Sequence, residues 1–113
     1  MRALFSSIST TLEPVGPRRG ADSGDPQVSL VEFHSDGVTD VGIWECTPGG
    51  WHIEDRPDTE VVHILAGRVR MTDDADGSAR HIGPGDVMVL PKGWSGRWDI
   101  LETTRKLYVV VTH

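Results

Sequence analysis

Glu60 is the residue whose chemistry stands out first. It lies in Thr59-Glu60-Val61-Val62-His63-Ile64-Leu65, a run whose other members are mostly apolar or β-branched. Period-two alternation in a strand puts Glu60, Val62 and Ile64 on one face and Val61, His63 and Leu65 on the other. An unpaired carboxylate facing inward is a candidate general acid or base. With Arg56, Arg97 or Lys106 as a partner it is instead half of a buried ion pair. Both readings stand at the level of sequence.

Residues able to line a mouth around Glu60 flank it on both sides: Trp51, Glu54 and Arg56 before it, and Trp94, Trp98 and Lys106 after it. Four tryptophans accompany one tyrosine and two phenylalanines, so an indole wall is the expected aromatic surface of any pocket. Such a wall with Glu and Arg suits a small polar ligand carrying a cationic or amide nitrogen. His52 beside Trp51 is read as a surface histidine, and His63 alternates away from Glu60. Cys46 has no basic partner in a recognisable pattern and is read as a buried structural thiol.

These residues must be positioned by short strands. From Val28 onward, β-rich runs alternate with turns: Val28 to His34, Val38 to Cys46, Thr59 to Leu65, Arg68 to Thr72, Arg80 to His81, Val87 to Leu90, Gly96 to Leu101 and Lys106 to Thr112. Strands at this spacing indicate an all-β sandwich or barrel. Asp73-Asp74-Ala75-Asp76-Gly77 is the clear hairpin turn. Residues 1–27 hold Pro14, Pro17 and Pro26 with three glycines. They are expected to run as an extended surface arm, with a helical turn near Leu4 to Leu12 as the alternative. The expected division is an arm over 1–27 and one β domain over 28–113.

Glu60-x6-Gly67 and Gly85-x5-Pro91-x-Gly93 resemble the two sequence motifs of the cupin superfamily. Gly42 to Trp51, Pro91 to Trp98 and Thr104 to Lys106 are similar to the small single-domain cupins related to (S)-ureidoglycine aminohydrolase. The resemblance implies a jelly-roll barrel with a ligand pocket in its mouth, and Glu60, Val62, Ile64, Gly96 and Trp98 pointing inward. It also implies metal-binding histidines, and at those positions the chain carries Glu54 and Arg56, or Ile53 and Asp55, and Gly96. No tightly held transition metal or other cofactor is therefore expected. A weak oxygen-ligated divalent ion on Glu54, Asp55, Asp58 or His52 is the remaining alternative. Three functions follow: a hydrolase of the ureidoglycine aminohydrolase type with Glu60 in proton transfer, a non-catalytic metabolite-binding cupin, and a sugar-acid or sugar-nucleotide isomerase.

A net charge of -6 over 113 residues offers no basic stripe for nucleic acid or an anionic membrane. The single cysteine, the lack of a long apolar span and the poorly apolar start point to a cytoplasmic protein. Apolar residues on both faces of Glu60 to Leu65 and of Lys106 to Val111 predict a homodimer.

Overall fold

A computed structural model describes residues 4–113; residues 1–3 of the expected arm lie outside it. Among the described residues there are nine strands and no helix, so none is long and apolar enough to cross a membrane. In order they are β1 (Glu13–Pro17), β2 (Ala21–Gly24), β3 (Gln27–Ser35), β4 (Thr39–Cys46), β5 (Gly49–Ile53), β6 (Thr59–Asp73), β7 (Ala79–Ile82), β8 (Val87–Leu90) and β9 (Gly96–Val111). Every pairing is antiparallel, and the sheet curls into the expected jelly-roll barrel.

The spine is the pair β6 and β9. Thr59 to Leu65 and Arg68 to Thr72 are joined into one 15-residue strand, and Gly96 to Leu101 and the run from Lys106 into one of 16 residues that ends at Val111, one residue short of the expected Thr112. Register shifts between Ile64 and Val69 bend the pair, which lets both strands serve two sides of the barrel. The bend is centred on Gly67, whose φ is +93° and which lies against the Thr103 carbonyl and Thr104 backbone. On its other side β9 pairs with β4 through Thr104 to Val111 and with β5 through Gly96 to Ile100.

The N-terminal segment is extended, with one turn in which Thr10 N–H donates to the Ser6 carbonyl. It also contributes strands: β1 pairs with β3, and β2 pairs with β5. Along the path β1-β3-β4-β9-β5-β2 these two are the outermost strands. Residues 18–20 therefore link the strands at the two sheet edges. The link is fastened by Arg97, which donates two hydrogen bonds to the Asp22 carboxylate at 2.7 and 2.8 Å and a third to Asp99 at 2.9 Å.

Alternation fills the interior as expected: Glu60, Val62, Ile64, Gly96 and Trp98 are all buried. Val62, Ile64, Val69, Ile100 and Cys46 form the core with Trp51 and Trp98. Trp51 and Trp98 are directly opposed across β5 and β9 and stack at 5.9 Å and 12°, a cross-strand aromatic pair that holds the register. The Cys46 thiol, buried in this core, is pushed up to about 11 by desolvation; it is a packed, protonated side chain.

Candidate functional site

The inner face of the sheet carries a row of mutually opposed residues, Leu30 on β3, Trp44 on β4, Lys106 on β9 and Ile64 on β6. Two residues further along β9, Tyr108 opposes Val62, and Val110 opposes Glu60. Leu30, Trp44, Lys106, Tyr108, Val110 and Glu60 of this face line a cavity of about 240 Å³. Trp44, Trp51, Trp98 and Tyr108 wall it, and Arg18, Arg56, Glu60 and Lys106 supply its polar groups.

Glu60 is paired. The Lys106 ammonium donates to Glu60 Oε2 at 2.9 Å, and both residues are buried. Arg56 Nη1 lies 3.4 Å from Glu60 Oε1, and Arg56 Nη2 lies 2.9 Å from Asp58 Oδ1. The Lys106 ammonium also sits 4.3 Å over the Trp44 ring and 4.4 Å over the Trp98 ring, which favours its charged form. Burial pushes the Lys106 ammonium down, and the Glu60 carboxylate opposes that. Burial first, and then the carboxylates of Glu32, Asp40 and Glu60, raise the Tyr108 phenol.

Of the residues singled out in the sequence, Glu60, Trp51, Arg56, Trp98 and Lys106 come together at this cavity. Glu54 and Trp94 do not. Beyond the end of β5, Asp55 adopts φ 49°, which breaks the strand alternation that would have put residues 54 and 56 on one face. Glu54 is left exposed near His52 and Asp74, whereas Arg56 turns in. Backbone hydrogen bonds from Arg56 N–H to the Trp94 carbonyl and from Gly93 N–H to the Arg56 carbonyl hold this loop in place. The Trp94 indole N–H donates to Asp73 Oδ1 at 2.6 Å, which directs that side chain to the β6–β7 hairpin. Arg97, one residue from inward-facing Trp98, alternates away and pairs with Asp22 and Asp99.

Trp44 and Tyr108 are cavity residues outside the sequence candidates, and Arg18, which with Arg19 reads in the sequence as either a ligand contact or a solvated pair, lines the cavity too. Tyr108 was accessible by stepping two positions along the strand from Lys106. No local signal decides between the two readings of Arg18, because only the pairing of β1 and β2 with distant strands brings it over the Trp51 ring, 4.8 Å from its centroid.

A cupin metal does not fit these residues. The carboxylate that would ligate it is engaged by Lys106 and Arg56, and a nearby cation repels these charges. At Gly96 a β-carbon would meet the Thr72 carbonyl oxygen and lie 2.6 Å from Trp94 Cη2, so that position has no room for an imidazole. His52, Glu54 and Asp74 do approach one another, with His52 Nε2 2.6 Å from Asp74 Oδ2. They are exposed and take no part in the cavity lining, and the His52–Asp74 contact ties β5 to the hairpin.

Residues 33–108 match the family of EutQ-like cupin domains. No curated protein matches the chain by sequence. Among solved structures, a DUF861 family protein of unknown function from Pseudomonas syringae pv. tomato superposes with a TM-score of 0.82 at 23% identity, over 91% of this chain and 45% of that one. This chain thus spans less than half the length of that protein. An ethanolamine utilization protein Q from Salmonella typhimurium gives a TM-score of 0.70 at 19% identity, over 90% of this chain and 94% of the other. A DUF861 family protein from Thermotoga maritima is 36% identical with a TM-score of 0.54, over 58% of this chain and 73% of the other.

Proposed function

This chain belongs to the EutQ-like cupin family, and we propose that its barrel pocket binds a small organic metabolite. The observation that carries this reading is the cavity of about 240 Å³ with indole walls and an ion pair at its inner surface. A barrel interior needing only to be filled favours aliphatic side chains, since buried charges cost desolvation that packing does not return. With both oxygens engaged by cations, Glu60 orients Arg56 and Lys106. That favours binding over proton transfer of the ureidoglycine aminohydrolase type. Among the described residues no histidine lines the cavity, which disfavours the sugar isomerase reading. A thermal-shift screen of small metabolites tests the proposal. A ligand at one hundred times its Kd is expected to add about 2.7 kcal/mol, roughly 10 °C in Tm for a chain of this size. A diverse panel at millimolar concentration that leaves Tm unmoved would refute it.

A second copy of the chain is the proposed partner. Val89, Val61, Val109 and Val41 lie directly opposite one another on the outer face of β8, β6, β9 and β4. Val87 and Val89 are 62% and 58% exposed there, an apolar strip of the kind that self-association covers. Sedimentation equilibrium is expected to give twice the 12.4 kDa chain mass, and Val89→Lys to give the monomer. A wild-type monomer at high micromolar concentration would contradict the dimer.

A further inference from the structure

We infer that the ligand of the barrel pocket is a small organic carboxylate, a monoanion, and that Arg18 is the residue that receives it. The inference rests on the reading of the pocket as a metabolite site and adds the chemical class. It follows from the balance of charges at the cavity. Arg56 and Lys106 are matched by Glu60 and Asp58, with ion-pair distances of 2.9 Å for Lys106–Glu60 and Arg56–Asp58. Arg18 is the remaining cation of the lining. Among the described residues it forms no ion pair with a carboxylate. Its side chain donates to the Arg19 carbonyl and lies over the Trp51 ring. A partly buried guanidinium with no anion in contact is poorly compensated; burial pushes its pKa down from the ordinary arginine value, and Cys46 and the Glu60 carboxylate oppose that only in part. A ligand carboxylate would complete it through the paired N–H groups that guanidinium presents. A second donor is also unspent: Arg56 Nε is buried and has no hydrogen-bond partner.

The same geometry disfavours a cationic ligand, which the indole-rich sequence had suggested. The indoles are already engaged, Trp44 and Trp98 by Lys106 and Trp51 by Arg18, and Trp51 stacks on Trp98. The one interior carboxylate, Glu60, is spent on Lys106 and Arg56. Size is consistent with this class, because the cavity of about 240 Å³ is at the small end of ligand pockets. That admits a short-chain or single-ring acid. With one unmatched cation the site also prefers a monoanion to a phosphate dianion.

Arg18 is well placed to discriminate. Its backbone N–H donates to the Pro26 carbonyl at 2.8 Å, and its carbonyl accepts from Ala21 N–H. The turn that carries it is therefore fixed while the guanidinium stays at the mouth.

The test is calorimetric titration of the full chain with two matched series: butyrate, butyramide, butylamine and propylphosphonate, and benzoate, benzamide, benzylamine and phenylphosphonate. The acid of at least one series is expected to bind at least tenfold more tightly than its amide, amine and phosphonate. Arg18→Gln is expected to weaken the acid tenfold or more, Arg18→Lys to weaken it less, and Arg19→Gln to leave it unchanged. The comparison of acid with amide on the wild-type chain does not depend on any variant folding. Binding of an amide or amine as tight as that of the acid, of the phosphonate more tightly, or of the acid undiminished by Arg18→Gln, would overturn the inference while leaving a metabolite pocket in place. Binding by no member of either series, with neutral or cationic metabolites from the wider screen binding instead, would also overturn it. A wider screen in which nothing binds would remove the pocket reading itself.

Discussion

Glu60→Gln is expected to lower the stability of the fold by about 3–5 kcal/mol, because it leaves a buried lysine without its carboxylate. Lys106 is 6% exposed, and its 2.9 Å contact with Glu60 is the one interaction that offsets the desolvation of its charge through a full opposite charge. The two indole faces beside it compensate only in part. At this chain length the loss corresponds to a fall of roughly 15 °C in Tm. The double variant Glu60→Leu/Lys106→Met should regain most of it, since well-packed apolar residues replace a buried pair at little net cost. Denaturant unfolding of the single and double variants measures both quantities. A single variant within about 1 kcal/mol of the wild type would mean that the two groups are not coupled as charges.

Gly67→Ala is expected to cost about 3 kcal/mol or more, combining a left-handed backbone with a steric clash that cannot relax. The φ of +93° disfavours any β-carbon, and one placed there would strike the Thr103 carbonyl and come within 2.6 Å of Thr104 Cα. Both obstacles are backbone of the long partner strand. Relief would require β6 and β9 to separate at the bend that makes them a barrel. Thermal unfolding checks this; a Tm within a few degrees of the wild type would show that the bend tolerates a side chain.

Much of the inner face was legible in the chain itself. Glu60, Val62 and Ile64 alternate inward because a half-buried strand has no other way to hide them, and Gly96 and Trp98 follow the same rule on β9. Trp44 stands beside Lys106 at the cavity, and whether such an indole fills core or lines a pocket depends on which strand faces it. Glu54 and Arg56 show where alternation stops being informative. A single residue with positive φ, Asp55, reverses the expected facing, and an aspartate gives little warning of it. For Arg18, local reasoning could not choose between a ligand contact and a solvated arginine, because its position depends on β1 and β2 reaching opposite edges of the sheet. The pairing of Glu60 was one of two readings open in the sequence. The geometry selects Lys106 and Arg56 as its partners, while Arg97 is committed to Asp22 and Asp99.

The most direct measurement for the proposed pocket is nuclear magnetic resonance of the four indole N–H groups during titration with a binding carboxylate. Three of the indoles, Trp44, Trp51 and Trp98, line the cavity, and Trp94 lies outside it, hydrogen-bonded to Asp73. Saturable shifts of the first three resonances and of the Arg18 side-chain N–H groups are expected, with the Trp94 resonance still. Shifts confined to Trp94, or to the outer face of β6, β8 and β9 with the three pocket indoles unmoved, would contradict the proposed pocket.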